Sequence, residues 1–325
     1  MKKPIRFGLL GTGNIARIGH VPGSMEIENA EIIAAGSRNL QKATAFATDL
    51  KVQKAYGSYE ELLADPEIDA VVNTLPNSLH CAWTVKSLEA GKHVLCEKPF
   101  AVSVAEAEEM AGVAKAKGLY LMEAFTHRFS PGMKRVRELI QDRTFGRPLS
   151  AHARLSYDLG EEGWLTDSRS KLDLAGGALM DCGSYLVSAL RFALGSEVKG
   201  VAASASIREP NKVDGSFHGL LEFESGCHGY MFSSMEGAFD ASVEIWCESG
   251  SIRLPNFFSG CSVMTSEKEE TFEERDRFSI QMEHFADCIS RGKELAFTTD
   301  DAVENTRVIN ALKQAYESGN KVFLR

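Results

Sequence analysis

The stretch IRFGLLGTGNIA, residues 5–16, decides the fold of this chain. Its first six residues are almost all apolar, as expected for a strand that is buried on both faces of a parallel sheet. Gly11 and Gly13 then interrupt the strand, and the apolar pattern that follows predicts a helix over residues 15–25. A strand, a glycine turn and a helix in that order form the first half of a βαβ unit.

The same alternation of strand and helix continues to about residue 123. Further strands are predicted at 31–36, 69–75, 92–97 and 119–123, with a weak one at 53–56. The segments that separate them are predicted to be helices, at 40–50, 58–64, 79–90 and 104–117. Such alternation gives right-handed βαβ units and a doubly wound parallel sheet. The expected fold class is α/β, with a Rossmann domain over residues 1–123.

Beyond residue 124 the pattern changes to paired strands. Strands are predicted at 151–157, 198–207, 241–248 and 251–255, and a hairpin at 216–234 turns at Ser225 and Gly226. Helices are predicted at 176–195, which is glycine-rich, and at 279–290 and 300–318. The charged run at 267–277 is predicted to be a solvated loop. Residues 124–325 are therefore expected to form an α+β domain with a mostly antiparallel sheet.

Length and composition narrow the class of protein. A chain of 325 residues exceeds most single cores, so two domains are expected. The net charge of −9 argues against nucleic acid or an acidic membrane as a partner. No apolar run is long enough to span a bilayer, and the N-terminus does not read as a signal peptide. The seven scattered cysteines lack CxxC spacing, which predicts free thiols in the cytoplasm and no metal site.

The glycine turn GTGNIA, residues 11–16, predicts a dinucleotide site. Gly11 permits the tight turn, Gly13 lets the backbone approach a pyrophosphate, and Ala16 packs the helix on the strand. The start of the helix adds free amides and a partial positive charge. Five consecutive residues are therefore expected to bind the cofactor: Gly11, Thr12, Gly13, Asn14 and Ile15.

The end of the second strand favours NADP over NAD. An NAD site usually has an acidic residue there, whereas this chain has Ser37 and Arg38, with Lys42 one helical turn further on. A hydrogen bond to a charged group such as a 2′-phosphate contributes about 1.5–3 kcal/mol. We expect these three residues to hold NADP. If Arg38 only stacks on the adenine, NAD binds as well.

The run HVLCEKPF, residues 93–100, ends a strand at the same predicted sheet edge. Pro99 cannot donate to a sheet, so the strand stops there. Ligands of open α/β sheets bind beyond the carboxyl ends of the strands. Lys98 is therefore either an ammonium that faces a ligand or a surface lysine in a turn. The sequence pattern of this run does not choose between them.

The turn after the preceding strand, residues 74–80, also lies at this edge. Pro76 and Asn77 form the turn, and His80 follows in the first turn of a helix. We expect four motif residues beside the cofactor in addition to Lys98: Leu75, Asn77, His80 and Glu97. For His80, a buried and hydrogen-bonded structural role fits the sequence equally well.

Asp181 and Tyr185 are four residues apart in the predicted helix at 176–195, so they share one face of it. A functional reading makes them a pair in a binding site. Alternatively, Tyr185 packs in the core with the leucines of that helix and Asp181 interacts with the helix dipole. Taken alone, these two residues favour the structural alternative.

Five motifs in order resemble those of the Gfo/Idh/MocA oxidoreductases: GTGNIA, PNSLH, CEKP, EAFTHRFSP and GGALMDCGSY. The resemblance covers nearly the whole chain. It is closest to the branch of glucose–fructose oxidoreductase, dimeric dihydrodiol dehydrogenase and NADP-dependent xylose dehydrogenase, which has tyrosine where inositol dehydrogenases have histidine. It implies that Lys98, Tyr185 and Asp181 are catalytic and that Tyr185 moves the proton.

The resemblance also implies what the second domain, residues 124–325, does. Its open-faced sheet would bind substrate and form a homodimer or higher homo-oligomer, while a C-terminal helix would pack back on the first domain. Other candidates for the pocket are residues that spacing does not place: His127, Arg128, Trp164 and Arg169.

The function that follows is hydride transfer between NADP(H) and a hydroxyl or carbonyl of a sugar, polyol or dihydrodiol. Lys98 would stabilise the charge on the substrate oxygen, and Tyr185 would deliver or take the proton. One alternative is a non-catalytic NADP-binding regulator on the same scaffold. Another is an enzyme that keeps its cofactor and oxidises and reduces within one site, which the missing export signal disfavours.

Overall fold

The computed structural model describes residues 3–324, which divide into two compact units. The first unit contains the residues up to Ala124 together with Arg275–Val303, and the second contains Phe125–Glu274 and the residues from Glu304 onward. The chain passes from the first unit to the second after Ala124, close to the boundary expected after residue 123. The structure adds a later segment to the first unit, and this segment carries a helix described below.

The first unit is built on a parallel sheet that has six strands within the described residues. They are β1 (Ile5–Leu10), β2 (Ala30–Gly36), β3 (Lys54–Tyr56), β4 (Ala70–Asn73), β5 (His93–Cys96) and β6 (Leu121–Glu123). Their spatial order is β3-β2-β1-β4-β5-β6, with every pair parallel. The expected doubly wound Rossmann sheet is confirmed. The strand order reverses between β1 and β4, which is where such sheets bind ligands.

The helices that alternate with these strands are α1 (Val21–Met25), α2 (Leu40–Leu50), α3 (Tyr59–Ala64), α4 (His80–Glu89) and α5 (Val104–Lys117). Asn39, Ser58 and Ser103 each accept the backbone N–H three residues on, which fixes the first turns of α2, α3 and α5. The predicted helix at 15–25 is present, but Ala16–His20 form a π-helical turn ahead of α1.

The second unit is built on a mostly antiparallel sheet, which has nine strands in the described part of the chain. They are β7 (Pro148–Asp158), β8 (Val198–Arg208), β9 (Val213–Phe223), β10 (His228–Ser234), β11 (Glu236–Cys247), β12 (Ser251–Leu254), β13 (Ser262–Thr265), β14 (Glu269–Thr271) and β15 (Val322–Phe323). Their order is β14-β13-β12-β11-β7-β10-β9-β8-β15, and β7 with β10 is the parallel pair. The predicted hairpin is confirmed as β9 and β10.

The charged run at 267–277 is a strand in part, so the prediction of a loop is wrong for residues 269–271. These residues form β14, which pairs with β13. The strand tolerates its acidic residues because Arg135 donates through Nε to Glu270 at 2.8 Å, and Lys268 lies 3.0 Å from the same carboxylate. Arg135 is 135 positions away from Glu270 in the chain, so the local sequence does not show that this carboxylate is neutralised.

The later helices are α6 (Pro131–Gln141), α7 (Gly160–Thr166), α8 (Ser184–Leu194), α9 (Arg277–Arg291) and α10 (Thr299–Ser318). The helix predicted at 176–195 starts later than expected. Gly177 has a φ of +109°, which a right-handed helix excludes, and Leu179–Gly183 form a π-helical turn before α8. The prediction was therefore wrong for residues 176–177, where the two glycines adopt a non-helical turn.

Helix α9 follows the sheet of the second unit in sequence but packs in the first unit. The ring of Phe285 lies 6.3 Å from that of Phe7 in β1, and Phe278 packs edge-on against His20. The Asn29 amide donates to the Glu283 carbonyl at 2.9 Å. α9 is the returning C-terminal helix that the resemblance implies.

Two further expectations concern the whole chain. All seven cysteines lie in the described residues and carry free thiols, as their scattered spacing predicted. Among residues 3–324, none of the helices has both the length and the apolar character needed to cross a bilayer.

Candidate active site

Three neighbouring strands of the first unit bring the glycine turn and Lys98 to one sheet edge. The register pairs Leu10 with Asn73 and Asn73 with Cys96, so β1, β4 and β5 end side by side. Neighbouring strands are about 4.8 Å apart. The glycine turn that follows Leu10 and the turn that contains Lys98 therefore start about 10 Å apart along this edge.

The glycine turn has the open space that a phosphate requires. Gly11 has a φ of +104°, and a Cβ there would lie 2.9 Å from Thr74 Oγ1, so only glycine fits. At Gly13 a Cβ would meet nothing within 4 Å, and the residue is exposed. Asn14 is exposed and Thr12 is half-buried. The amides of this first helical turn have no earlier helix carbonyl to bind, so the turn fits a dinucleotide pyrophosphate.

The residues predicted to select NADP lie where β2 gives way to α2. The side chain of Asn39 caps α2 by accepting the Lys42 amide at 3.1 Å. Arg38 and Lys42 are exposed, Ser37 is half-buried, and the first turn of α2 has no acidic residue in this described segment. Burial raises the pKa of Tyr59, and the neighbouring Arg38 guanidinium opposes that shift. Two cations and a hydroxyl thus surround the helix start, which fits a 2′-phosphate.

Glu97 is buried and hydrogen-bonded inside the first unit. His20 Nε2 lies 2.7 Å from Glu97 Oε1, and the Lys98 amide donates to Oε2 at 3.2 Å. Burial alone would raise the pKa of Glu97, but the hydrogen bond from His20 and the charges of His20 and Lys98 lower it. Glu97 is therefore an ionised carboxylate that anchors the backbone at Lys98. Sequence reasoning missed His20, which lies in the π-helical turn after the glycines.

Lys98 differs from its neighbours in exposure. Glu97 and Pro99 are buried, whereas Lys98 is half-buried. Its charge acts on Glu97 and on His80, which places the ammonium close to both. Lys98 therefore combines a fixed backbone with an accessible side chain, as an active-site lysine requires.

His80 is fully buried, and both ring nitrogens are engaged. Nδ1 lies 2.7 Å from the Pro99 carbonyl and Nε2 lies 2.8 Å from the Leu75 carbonyl. Burial lowers the pKa of His80, and the two carbonyls oppose that shift. The ring ties the turn after β4, which includes the half-buried Asn77, to the turn after β5. These contacts support the structural role for His80.

In the second unit, Asp181 lies in the π-helical turn before α8 with both oxygens engaged. The Tyr157 hydroxyl donates to Oδ2 at 2.7 Å, and Arg169 Nε donates to Oδ1 at 3.1 Å. Burial and the Asp181 charge raise the pKa of Tyr157, and the Asp181 charge raises that of Arg169. The structure thus places Arg169, which spacing had left unplaced, and adds Tyr157, which was missed.

Tyr185, in the first turn of α8, is half-buried within an aromatic cluster. Its ring centroid lies 5.0 Å from Phe258, 5.4 Å from His127, 5.5 Å from Phe125 and 6.4 Å from Phe257. The first three contacts are edge-to-face, the arrangement aromatic rings prefer. The cluster therefore holds the ring while leaving the side chain partly accessible.

The other pocket candidates of the second unit are buried. His127 and Arg128 both bind the Ser188 hydroxyl, Arg128 Nε donating at 2.8 Å and His127 Nε2 lying 3.3 Å away. Trp164 is covered by the Arg208 guanidinium, 4.5 Å from the ring centroid. All three residues are packed inside the second unit, and the His127 ring lies directly beside that of Tyr185.

Gly176 and Gly177 fix the start of the π-helical turn at Leu179–Gly183, which carries Asp181. A Cβ at Gly176 would lie 2.2 Å from the Arg169 carbonyl oxygen, and one at Gly177 would lie 2.0 Å from Asp214 Oδ1. Asp214 Oδ2 accepts the Leu179 amide at 2.6 Å. Burial raises the pKa of Asp214 to about 6. Asp214 was missed because it stands alone at the start of a strand, where no local pattern marks it.

Both units match one family. Residues 5–125 match the profile of an oxidoreductase family with an NAD-binding Rossmann fold, and residues 133–253 match the C-terminal domain of the same family. This chain belongs to the Gfo/Idh/MocA oxidoreductase family. The expectation of an NAD(P)-dependent oxidoreductase is thereby confirmed.

Relatives and solved structures extend this similarity over the whole chain. The D-xylose 1-dehydrogenase (NADP(+)) 2 of Haloferax volcanii is 33% identical over 98% of this chain and 99% of its own length. The mouse trans-1,2-dihydrobenzene-1,2-diol dehydrogenase is 31% identical over 82% of this chain and 80% of its own. The glycerol complex of a Caulobacter crescentus aldose–aldose oxidoreductase superposes with a TM-score of 0.90 at 28% identity, covering 99% and 100% of the two chains. The first two belong to the predicted branch.

Proposed function

We propose that this enzyme transfers a hydride between NADP(H) and a hydroxyl or carbonyl group of a sugar, polyol or dihydrodiol. Lys98, Tyr185 and Asp181 are the proposed active-site residues. The observation that carries the proposal is the sheet edge of the first unit, where the aligned ends of β1 and β5 hold the glycine turn and Lys98. The xylose and dihydrodiol dehydrogenases among the relatives support the substrate class.

NADP is the proposed cofactor, and NAD is the second choice. The glycine turn would hold the pyrophosphate through the backbone at residues 11–15, and Ser37, Arg38 and Lys42 would hold the 2′-phosphate. Leu75, Asn77 and Glu97 would border the cofactor, and His80 would act through the carbonyls that it binds. When bound, the cofactor supplies or accepts the hydride. The similarity to an NADP(+)-dependent D-xylose 1-dehydrogenase supports NADP as the cofactor.

Lys98 has the proposed task of stabilising charge on the substrate oxygen. Reduction of a carbonyl builds negative charge on that oxygen, and a positioned ammonium stabilises it more strongly in a half-buried site than in water. The Glu97 carboxylate, held by His20, keeps the Lys98 backbone in place. The anchored backbone reduces the reorganisation needed when the substrate oxygen becomes negative.

Tyr185 has the proposed task of moving the proton. It gives a proton to the substrate oxygen in reduction and takes one in oxidation. A positioned acid or base contributes about 10²- to 10⁴-fold to the rate. The aromatic cluster around Tyr185 limits the motion of its ring, which favours a single geometry for the transfer.

A substrate panel tests this function. Sugars, polyols and dihydrodiols are incubated with NADP, and the corresponding carbonyl compounds with NADPH, while absorbance is followed at 340 nm. We expect turnover of at least one class and a loss of about 10²-fold or more in kcat for Tyr185→Phe. Tyr120→Phe, in the first unit, is the matched control. Near wild-type activity in Tyr185→Phe would remove that residue from the proton step, and NADPH binding without any turnover would favour the regulator.

A second candidate function is favoured by the aldose–aldose oxidoreductase structure, which shares 28% identity and a TM-score of 0.90 with this chain. In this alternative the enzyme keeps its cofactor and couples oxidation of one sugar to reduction of another. Protein that retains absorbance near 340 nm after gel filtration, and turns over a sugar pair without added NADP, would establish it. Loss of that absorbance on gel filtration would reject it.

We also propose a homodimer formed through the outer face of the second unit's sheet. Tyr230 and Trp246 are 50% and 40% exposed, and both rings pack against His152 between them. Clustered exposed aromatic side chains are typical of protein interfaces. Analytical ultracentrifugation should show a wild-type dimer that Trp246→Glu dissociates. A monomeric wild type would contradict the assignment.

The cytoplasm is the proposed compartment. All seven cysteines are free and burial raises the pKa of several, including Cys227, Cys247 and Cys288, so they remain as inert thiols. Cell fractionation with a thiol-labelling assay tests this, and recovery of the protein in an exported fraction would contradict it.

A further inference from the structure

Thr74 braces the start of the glycine turn from the neighbouring strand. Its amide donates to the Leu10 carbonyl at 3.0 Å, and its hydroxyl donates to the same carbonyl at 2.9 Å. The hydroxyl oxygen also lies 3.4 Å from the Gly11 carbonyl oxygen. Thr74 is the first residue after β4, and Leu10 is the last residue of β1. One side chain therefore joins the ends of the two strands at which the order of the sheet reverses.

The peptide group between Leu10 and Gly11 is held from both sides. Its carbonyl accepts from Thr74, while the Gly11 amide donates to the Gly36 carbonyl at the end of β2 at 3.1 Å. The φ of +104° at Gly11 then turns the chain out of the sheet. The glycine turn thus begins at a residue whose backbone is fixed by both neighbouring strands, β2 and β4.

The next peptide group places a donor on the side away from β4. In a planar trans peptide the C=O and N–H groups point in opposite directions. Because the Gly11 carbonyl is in contact with the Thr74 hydroxyl, the Thr12 amide is directed away from that hydroxyl. Within residues 3–324 the Thr12 amide makes no hydrogen bond. The position of the Thr74 hydroxyl therefore sets the direction of a donor that a ligand can use.

We propose that Thr74 is a positioning residue for the cofactor, with a hydroxyl that holds the glycine turn in the conformation that binds the pyrophosphate. The inference rests on the proposed function, in which the backbone at residues 11–15 holds the pyrophosphate. A backbone that is already held in its binding conformation loses less conformational freedom when the ligand binds. Thr74 acts through the backbone that it binds, so its contribution is the same for NADPH and NADH, which share the pyrophosphate.

Affinity measurements on Thr74→Val test this role. Valine keeps the branched shape and the backbone amide but removes the hydroxyl. The dissociation constants of NADPH and NADH are measured from the fluorescence of the bound reduced nicotinamide. We expect both constants to rise about 3- to 10-fold, the effect of losing one uncharged hydrogen bond, and their ratio to stay that of the wild type. Thr74→Ser, which keeps the hydroxyl, should restore the wild-type affinity for both cofactors.

A third probe separates this role from general support of the fold. Adenosine 2′-phosphate lacks the pyrophosphate but keeps the phosphate that is proposed to bind Arg38. Its affinity, measured by displacement of bound NADPH, should be the same in Thr74→Val and in the wild type. Arg38→Ala should show the reverse pattern, with weaker binding of adenosine 2′-phosphate and NADPH and little change for NADH. If Thr74→Val weakens adenosine 2′-phosphate as much as NADPH, the whole nucleotide site is disturbed and the inference is overturned.

Thr84→Val is the matched control. Thr84 is a buried threonine of α4 in the same unit, and its hydroxyl lies 3.1 Å from Asn73 Nδ2. The variant loses the same group but no bond to the glycine turn, so it should bind both cofactors as the wild type does. Thermal melting confirms that each variant folds. If Thr74→Val does not fold, Thr74→Ala takes its place, with the same expected rise in both dissociation constants.

Two failures are distinguishable. A folded variant without the Thr74 hydroxyl that binds NADPH and NADH as tightly as the wild type would overturn this inference and leave the proposed function intact. A rise for only one of the two cofactors would do the same, because the pyrophosphate is common to both. A wild type that binds neither NADPH nor NADH would overturn the proposed function and this inference with it.

Discussion

The two units each carry a π-helical turn and an ionised carboxylate, but the carboxylates differ in their surroundings. In the first unit the His20–Glu97 pair is sealed, with side chains 1% and 9% exposed. In the second unit the Asp181 carboxylate is paired with an Arg169 side chain that is 37% exposed. The sealed pair holds the backbone at Lys98, whereas the Arg169 side of the open pair is partly exposed to solvent. The two pairs therefore differ in burial.

The sealed pair predicts the largest loss of stability. In Glu97→Gln the hydrogen-bonded carboxylate is lost, and we expect the free energy of unfolding to fall by about 3–5 kcal/mol, as when one partner of a buried pair is removed. Arg169→Lys, in the open pair, should cost less than about 1 kcal/mol. Urea unfolding at pH 7 measures both. Equal losses of unfolding free energy in the two variants would show that burial does not distinguish the two pairs.

The pH dependence of stability should have opposite signs in the two units. Glu97 has a lowered pKa, so the stability it contributes is present above its unfolded pKa and is lost as pH falls. Asp214 has a pKa raised to about 6, so the stability linked to it is present below its unfolded pKa and is lost as pH rises through 6. Asp214→Asn should remove that second loss.

The size of the Asp214 effect is at most about 3 kcal/mol, the equivalent of moving the pKa from its ordinary value to about 6. Urea midpoints of wild type and Asp214→Asn between pH 4 and pH 8 measure it. Asp240→Asn serves as the control, since Asp240 is a half-buried strand carboxylate of the same unit. Parallel curves for wild type and Asp214→Asn would show that Asp214 does not titrate in this range.

A smaller effect should be confined to the cofactor side of the first unit. In Arg38→Ala we expect the KM for NADPH to rise by about 10- to 100-fold, because a hydrogen bond to a phosphate is lost, and the KM for NADH to change little. The KM for the sugar should stay near that of the wild type. Equal rises for the two cofactors would mean that Arg38 stacks on adenine instead of binding the 2′-phosphate.

Much of the fold follows from local sequence signals. The bounds of α2 and α5 match the prediction because Asn39 and Ser103 cap their starts and Gly118 ends α5 in the left-handed conformation. The ends of β1 and β5 could also be predicted locally, because glycine and proline stop the two apolar runs, and these ends place the glycine turn and Lys98 at one sheet edge. The π-helical turns were missed because a 3.6-residue apolar period reads them as α-helix.

The missed site residues depend on contacts between distant parts of the chain. His20 and Glu97 are 77 positions apart, Tyr157 and Asp181 are 24 apart, and Leu179 and Asp214 are 35 apart. No local pattern encodes such pairs, although a polar residue in an otherwise apolar turn, such as His20, marks a position that needs a partner. Lys98 could be predicted because proline and the strand end fix its surroundings locally.

The most direct test of this account is the turnover of Lys98→Met with NADP and the best substrate of the panel, followed at 340 nm. Lys86→Met is the control, since Lys86 lies on the exposed side of α4 over the Trp83 ring. We predict that Lys98→Met loses about 10²-fold or more in kcat, the size of effect seen when one group that stabilises an oxyanion is removed, while NADPH still binds and Lys86→Met stays near wild type. Wild-type kcat in a folded, NADPH-binding Lys98→Met would contradict the central claim that this lysine acts on the substrate.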